Sequence, residues 1–255
     1  MTQNDLAVDA EVSCKHLSFL EAGRARPSRR MVLRLAGCLD VPLRDRNVML
    51  AAAGFDPEFQ ERRFSEPAFD MVRRDVETVL AVHEPYPAVA VDRHWQVLAT
   101  NRAASTMFAG AELALLRPPL NLLRLCLHPA GIASHIVNLP QWRGYLIARL
   151  RRQMDATGDS VLADLLEEIR DYPLVPNTAG KPGDDDIDSL IVPLRLAAID
   201  GVLTFLNTST TFGAAADITL AEITIEAFLP GNARTQDMMR MRLADQAEPV
   251  LAKAS

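Results

Sequence analysis

Between residues 1 and 54 the apolar positions recur three or four apart, in short runs that each carry a start and a stop signal. The segment QNDLAVDA follows Thr2, a capping residue, and offers Leu6 and Val8 as apolar contacts. Glu11-Val12-Ser13 interrupts it. Ser13 suits the N-cap of the next helix, because its hydroxyl accepts from an exposed backbone N–H. That helix turns Leu17 and Leu20 inward, with Phe19 beside them, and Gly23 stops it. Pro27-Ser28 opens RRMVLRLAGCLD, with Met31, Leu33, Leu35 and Leu39 available for a core. Pro42 starts PLRDRNVMLAAAG, which ends at Gly54. An all-α head is expected over residues 1–54.

Residues 55–68 are charged and proline-containing and read as a linker. The body, residues 69–245, begins with a helix, FDMVRRDVETVLAVHE, and then the period changes. PAVAVD and HWQVLATN alternate as two strands around a tight turn at Asp92-Arg93, and RAASTMFAG follows as a short helix. Residues 111–171 are mainly helical. Residues 176–188 form a polar Gly/Pro/Asp loop. Strands return in SLIVPLRLAAIDG, VLTFLNTSTTFG and DITLAEITIEAFLPG, before a last helix from Ala233. Strands flanking a helical middle predict an α+β domain, an antiparallel sheet with helices packed on it.

Charge sharpens the picture of the head. The chain carries a net −6, which argues against a surface coated for nucleic acid. Yet from Ser13 to Arg34 six basic residues (Lys15, Arg24, Arg26, Arg29, Arg30, Arg34) face one acid, Glu21. That stretch is net +5, so the remainder carries −11. Such asymmetry points to nucleic-acid contact. In a helix-turn-helix the first helix braces and the second reads bases in the major groove from its N-terminal residues. Gln3 at the start of the bracing helix suits a phosphate; Ser13, Cys14, Lys15 and Ser18 lie on the reading helix, and Arg24 and Arg26 behind it suit phosphate contact. The alternative is a plain helical bundle with a solvated basic face.

The pattern Q-x-x-L-A … V-S-x-x-x-L-S-x-L-E-x-G-R-x-x-P-S resembles the helix-turn-helix of the XRE family. That family has another helix before the bracing one, and this chain starts at Met1-Thr2-Gln3, so the expectation is a head lacking its first helix. Binding to a double-stranded DNA operator as a homodimer follows from the resemblance; the alternative is a ligand-binding module that does not bind DNA. Residues from about 66 to about 240, including YPAVAVDRHWQVLATNRAASTMF, NLLRLCLHP and QWRGYLIARLR, resemble the PAS-like ligand-binding domain of MmyB-like transcription regulators. The resemblance implies an apolar pocket for a small, fatty-acid-like ligand. Met107, Phe108, Leu122, Leu125, Trp142, Tyr145, Leu146 and Phe205 suit its lining. Asn101, His128, His135 or Arg149 suits its polar end. Asn101 also ends a strand before a helix, where capping is the better reading, and the apolar residues read first as ordinary core.

No catalytic or metal constellation emerges. GxSxG, Walker A, HExxH and GxGxxG are absent from the sequence, and His128 and His135 lie seven apart with Pro129 between them. Asp184 to Asp188 lacks the alternating spacing of a calcium loop and reads as solvated. Cys14, Cys38 and Cys126 form no CxxC pair, so neither disulfide nor zinc is suggested. No apolar run reaches membrane-spanning length and no signal peptide is seen, which makes the cytoplasm the default.

Overall fold

The computed structural model describes residues 1–173, 191–199, 201–212 and 217–247. The predicted loop at 176–188, with Asp184 to Asp188, lies outside them. The chain divides into two compact units: Met1–Phe69 with Phe212–Glu222, and Asp70–Thr211 with the chain from Ile223 onward.

The first unit contains four short helices, α1 (Gln3–Asp9), α2 (Cys14–Glu21), α3 (Arg29–Cys38) and α4 (Leu43–Ala52). Each start is local chemistry. Thr2 and Asp5 form a reciprocal capping box, and the Ser13 and Ser28 hydroxyls accept the His16 and Met31 N–H groups. Gly23 and Gly54 take positive φ (+67° and +84°) just past α2 and α4. The core differs from the apolar pattern. Ala7, Ala10, Leu17, Val32, Ala36 and Leu50 are buried, whereas Val8 is 75% and Leu39 47% exposed. Alanines thus share the centre of this unit with Leu17, Val32 and Leu50.

The same unit includes the chain between two strands of the sheet. DITLAEITIEAFLPG was expected to be one strand; its first part is instead a helical turn, α10 (Ile218–Ala221), which sequence order places after nine others introduced here and below. Asp217 accepts the Thr219 N–H at 2.9 Å and so caps that turn.

The second unit contains α5 (Asp70–Val82), β1 (Ala88–Val91), β2 (Val97–Thr100), α6 (Arg102–Phe108), α7 (Leu122–Leu127), α8 (Leu139–Thr157) and α9 (Ser160–Asp171). After the predicted loop come β3 (Leu194–Ala198), β4 (Gly201–Thr211), β5 (Thr224–Pro230) and α11 (Ala233–Ala247). The strands form one antiparallel sheet in the order β2-β1-β5-β4-β3, a PAS-like arrangement. Gly201 opens β4 at φ +129°, and a Cβ there would meet the Arg234 guanidinium. Cross-strand partners share a face. Val89, Glu226 and Ser209 therefore line up, as do Asn207 with Phe228 and Leu194 with Phe205. This face meets the helical layer, whose centre is Trp142, Leu146 and Leu150 of α8 with Leu162, Leu165 and Ile169 of α9. The long apolar stripe of α9 (Leu162, Leu165, Leu166, Ile169) has the i, i+3, i+4, i+7 spacing of a one-sided helix.

Candidate functional site

Within the second unit, a cavity of about 300 Å³ opens at the β3–β4 end of the sheet. Leu196, Leu203 and Phe205 supply its sheet wall, Ala103 and Met107 of α6 one side, and Met239 and Leu243 of α11 another. The volume is at the small end of the range for small-molecule sites. Its rim carries Glu84, His135 and Arg242. Glu84 is already engaged: its Oε1 accepts the Arg102 and Ala103 N–H groups at 2.8 and 3.3 Å, at the start of α6. The side chains of exposed His135 and half-buried Arg242 have no hydrogen-bond or ion partner among the described residues. An apolar chamber with two unspent nitrogen donors at its mouth is suited to an apolar molecule with an acidic end.

Deeper on the same sheet face lies a polar cluster without such freedom. Glu226 of β5 is 1% exposed. It accepts from Arg149 Nη1 and Nη2 at 2.9 and 2.5 Å, from Asn207 Nδ2 at 3.0 Å and from the Ser209 hydroxyl at 3.0 Å. The Arg149 guanidinium also lies 4.5 Å from the centroid of the Trp95 ring. Burial by itself lowers the Arg149 pKa, but the Glu226 carboxylate outweighs it and the net shift is upward. Cys126, fully buried, has its thiol pushed up to about 12, first by burial and then by the Glu226 charge. Native protein at pH 8 is therefore expected to expose two reactive thiols to iodoacetamide, Cys14 and Cys38, with Cys126 labelled only on unfolding. Peptide mapping of labelled cysteines checks this; rapid labelling of Cys126 in the native state would contradict it.

The candidate ligand residues separate into three places. Met107, His135 and Phe205 line the cavity. Tyr145 and Arg149 belong to the polar cluster, the Tyr145 hydroxyl lying 3.4 Å from Asn207 Oδ1. Phe108, Leu122, Leu125, Trp142 and Leu146 are buried in the helical layer and do not border the cavity. The Trp142 Nε1 is buried with no partner among the described residues. Asn101, 7% exposed, is committed to backbone: its Oδ1 accepts the Ala88 and Ala104 N–H groups, and its Nδ2 donates to the Tyr86 and Leu80 carbonyls. His128 stacks edge-on against Tyr172 and accepts the Ala130 N–H. The cavity residues that the sequence reading passed over include Ala103, Leu196, Leu203, Met239, Arg242 and Leu243. Met239 and Leu243 stand four apart beside Arg242 on one helix, and that spacing was the available signal.

In the first unit, Gln3, Ser13, Cys14, Lys15, Ser18, Arg24 and Arg26 are all exposed. Two of them join the first two helices: Gln3 Nε2 donates to Glu21 at 2.6 Å, and the Cys14 thiol lies 2.8 Å from Asn4 Oδ1. Ser13 is spent as the cap of α2. The Lys15 ammonium lies 5.7 Å from the Phe19 ring centroid. The Arg24 and Arg26 side chains have no partner among the described residues, unlike Arg29, which pairs with Glu58, and Arg34, which pairs with Glu11. No helix of the described residues is long and apolar enough to cross a membrane, and none of their His, Cys, Asp and Glu groups is arranged to hold a metal.

A family model for the MmyB-like transcription regulator ligand binding domain matches residues 72–241. No curated protein matches the chain. Among solved structures, "Structure of an RNA-binding Light-Oxygen-Voltage Receptor" is similar at 13% identity and a TM-score of 0.28. The match covers 96% of this chain, and the chain spans 57% of that one.

Proposed function

Since the chain belongs to the MmyB-like transcription regulator ligand binding domain family, a family of regulators rather than enzymes, we propose that it is a ligand-responsive transcription regulator. Its cavity holds a small apolar molecule with an acidic end, of the fatty-acid kind. Its helical head binds a DNA operator as a homodimer, with α2 as the reading helix and Arg24 and Arg26 on phosphates. The observation that carries the ligand reading is the cavity itself, with apolar walls and with Arg242 and His135 unspent at its rim. The head reading is supported by capped helices α1 and α2 tied together by Gln3–Glu21 and by Arg24 and Arg26 after α2, whose side chains have no partner among the described residues.

Native mass spectrometry and calorimetric titration test the cavity with two probes of one length, decanoic acid and decanol. Wild type is expected to prefer the acid. Arg242→Gln is expected to weaken the acid about tenfold and leave the alcohol unchanged, since a charge-assisted hydrogen bond contributes about 1.5–3 kcal/mol. Failure of both probes to bind would remove the ligand reading. For the head, DNA fragments selected from random sequence should bind with an affinity that falls steeply with salt. Lys15, Arg24 and Arg26 replaced together by alanine should flatten that slope by about 3. Ligand binding with no DNA selected would leave a ligand-binding module.

A further inference from the structure

We infer that the ligand's head carries a hydrogen-bond donor as well as a carboxylate, as in an acyl chain amide-linked to an amino acid, and that Glu84 is the residue that selects it. This rests on the reading of the cavity as a site for an apolar molecule with an acidic end, and it sharpens the head group. Four of the residues that line the cavity have polar side chains: Glu84, Thr106, His135 and Arg242. The Thr106 hydroxyl gives its hydrogen to the Arg102 carbonyl at 3.0 Å. Of the Glu84 carboxylate only one oxygen is spent. Oε1 accepts the Arg102 and Ala103 N–H groups, and Oε2 has no partner among the described residues. Nor do the opposite charges of this chamber meet: among the described residues, Glu84 pairs with neither Arg242 nor His135.

The free oxygen is held in place. Two backbone N–H groups fix the carboxylate, and the Glu84 N–H itself donates to the Ala81 carbonyl at 3.1 Å. The acceptor is therefore set before a ligand arrives, and little ordering cost falls on the bond it makes. Glu84 is half-buried, and its neighbours on the cavity wall, Pro85, Pro87 and Ala103, are apolar. An occupant that excludes water from this mouth must supply what water supplied to Oε2. An ionised fatty acid supplies only acceptors. In a chamber of about 300 Å³ it also brings a negative charge toward that of Glu84. An amide N–H answers both, because it donates to Oε2 while the carboxylate beyond it goes to Arg242 and His135. A site that bonds a ligand N–H rejects the analogue without it far more strongly than an apolar wall rejects a methylene.

Calorimetric titration of the full chain tests this with N-octanoylglycine, with N-octanoylsarcosine, in which a methyl group replaces the amide hydrogen, and with decanoic acid. The N–H conjugate is expected to bind about tenfold tighter than its N-methyl analogue, the lower end of a charge-assisted hydrogen bond. Glu84→Gln keeps an oxygen for the Arg102 and Ala103 N–H groups but turns an amide NH₂ toward the cavity, so the preference should fall to within about twofold. A preference absent from wild type, or equal in the two proteins, would overturn the proposal, because the bulk of the methyl group acts alike on both. Decanoic acid bound with both conjugates excluded overturns it as well and leaves the ligand reading standing, whereas failure of all three probes removes that reading and the proposal with it. Should Glu84→Gln not fold, isotope-labelled N-octanoylglycine on wild type decides instead. A bound amide proton shifted downfield and protected from solvent exchange supports the assignment, and one that exchanges as in free solution overturns it.

Discussion

Replacing Arg149 by Met, or Glu226 by Leu, is expected to lower the stability of the α+β domain by about 3–5 kcal/mol, as for other buried ion pairs that lose one member. Glu226 has only 2% of its side chain exposed and Arg149 has 21%, so water does little to soften either loss. Removing Arg149 leaves a carboxylate beside Asn207 and Ser209 alone, and also empties the space against the Trp95 ring. Removing Glu226 leaves a guanidinium packed over an indole with no counter-charge. The double replacement, Met with Leu, is expected to recover most of the loss, since two apolar groups of similar volume need no partners. Thermal melts at pH 7 read this, and a drop on the order of 10 °C is expected for each single variant. A single variant within 1 kcal/mol of wild type, about the ceiling for an exposed pair, would show that the cluster is solvated in solution.

That cluster also marks where the sequence could and could not be read. Binary pattern predicted β1 and β2 around a turn, because PAVAVD and HWQVLATN alternate on their own and need no distant partner to do so. Serine and threonine caps located α1, α2 and α3 for the same local reason. Arg149 reads from the sequence as a holder of a ligand's polar end or as part of a solvated face with Arg151 and Arg152; it is instead bound to Glu226, and that pairing is a fact of sheet register, since Glu226 lies on the face of β5 that pairs with Ser209 of β4. A lone acid inside TIEAFLP signals a buried partner without naming it. The helical turn at Ile218–Ala221 was read as strand because ITLAEITIE alternates, and the cap at Asp217 outweighs that alternation. Core alanines in the head were missed for a related reason: hydropathy weights leucine, while close helix packing selects for small size. The cavity was the least legible feature. Its wall comes from α6, the sheet and α11, and a void is a property of how such elements fail to touch.

Asn101→Ala carries the other large effect, about 3 kcal/mol of lost stability, and it separates the cap that the sequence favours from the ligand contact that it also allows. The side chain makes four bonds to backbone: Oδ1 accepts from Ala88 at 3.0 Å and Ala104 at 2.9 Å, and Nδ2 donates to Tyr86 at 2.8 Å and Leu80 at 3.3 Å. Losing the cap of α6 costs about 1 kcal/mol. Stranding a buried N–H at the start of β1 adds about 1–3 kcal/mol, since the group gives up water and receives nothing. One amide therefore fastens three elements, the end of α5, the first residue of β1 and the first turn of α6. Asn101→Asp keeps the acceptor that caps α6 but sets a carboxylate oxygen against the Tyr86 and Leu80 carbonyls in a buried site, so it should lose at least as much as the alanine variant at pH 7. Chemical denaturation measures both. Affinity for decanoic acid supplies the second axis: a residue spent wholly on backbone should leave it within about twofold of wild type at temperatures where the variant is folded. Affinity falling tenfold with stability unchanged would reverse the assignment and put Asn101 on the ligand. The physical ground for expecting the first outcome is saturation, because an amide has two donor hydrogens and two acceptor lone pairs, and in this fold all four are already used.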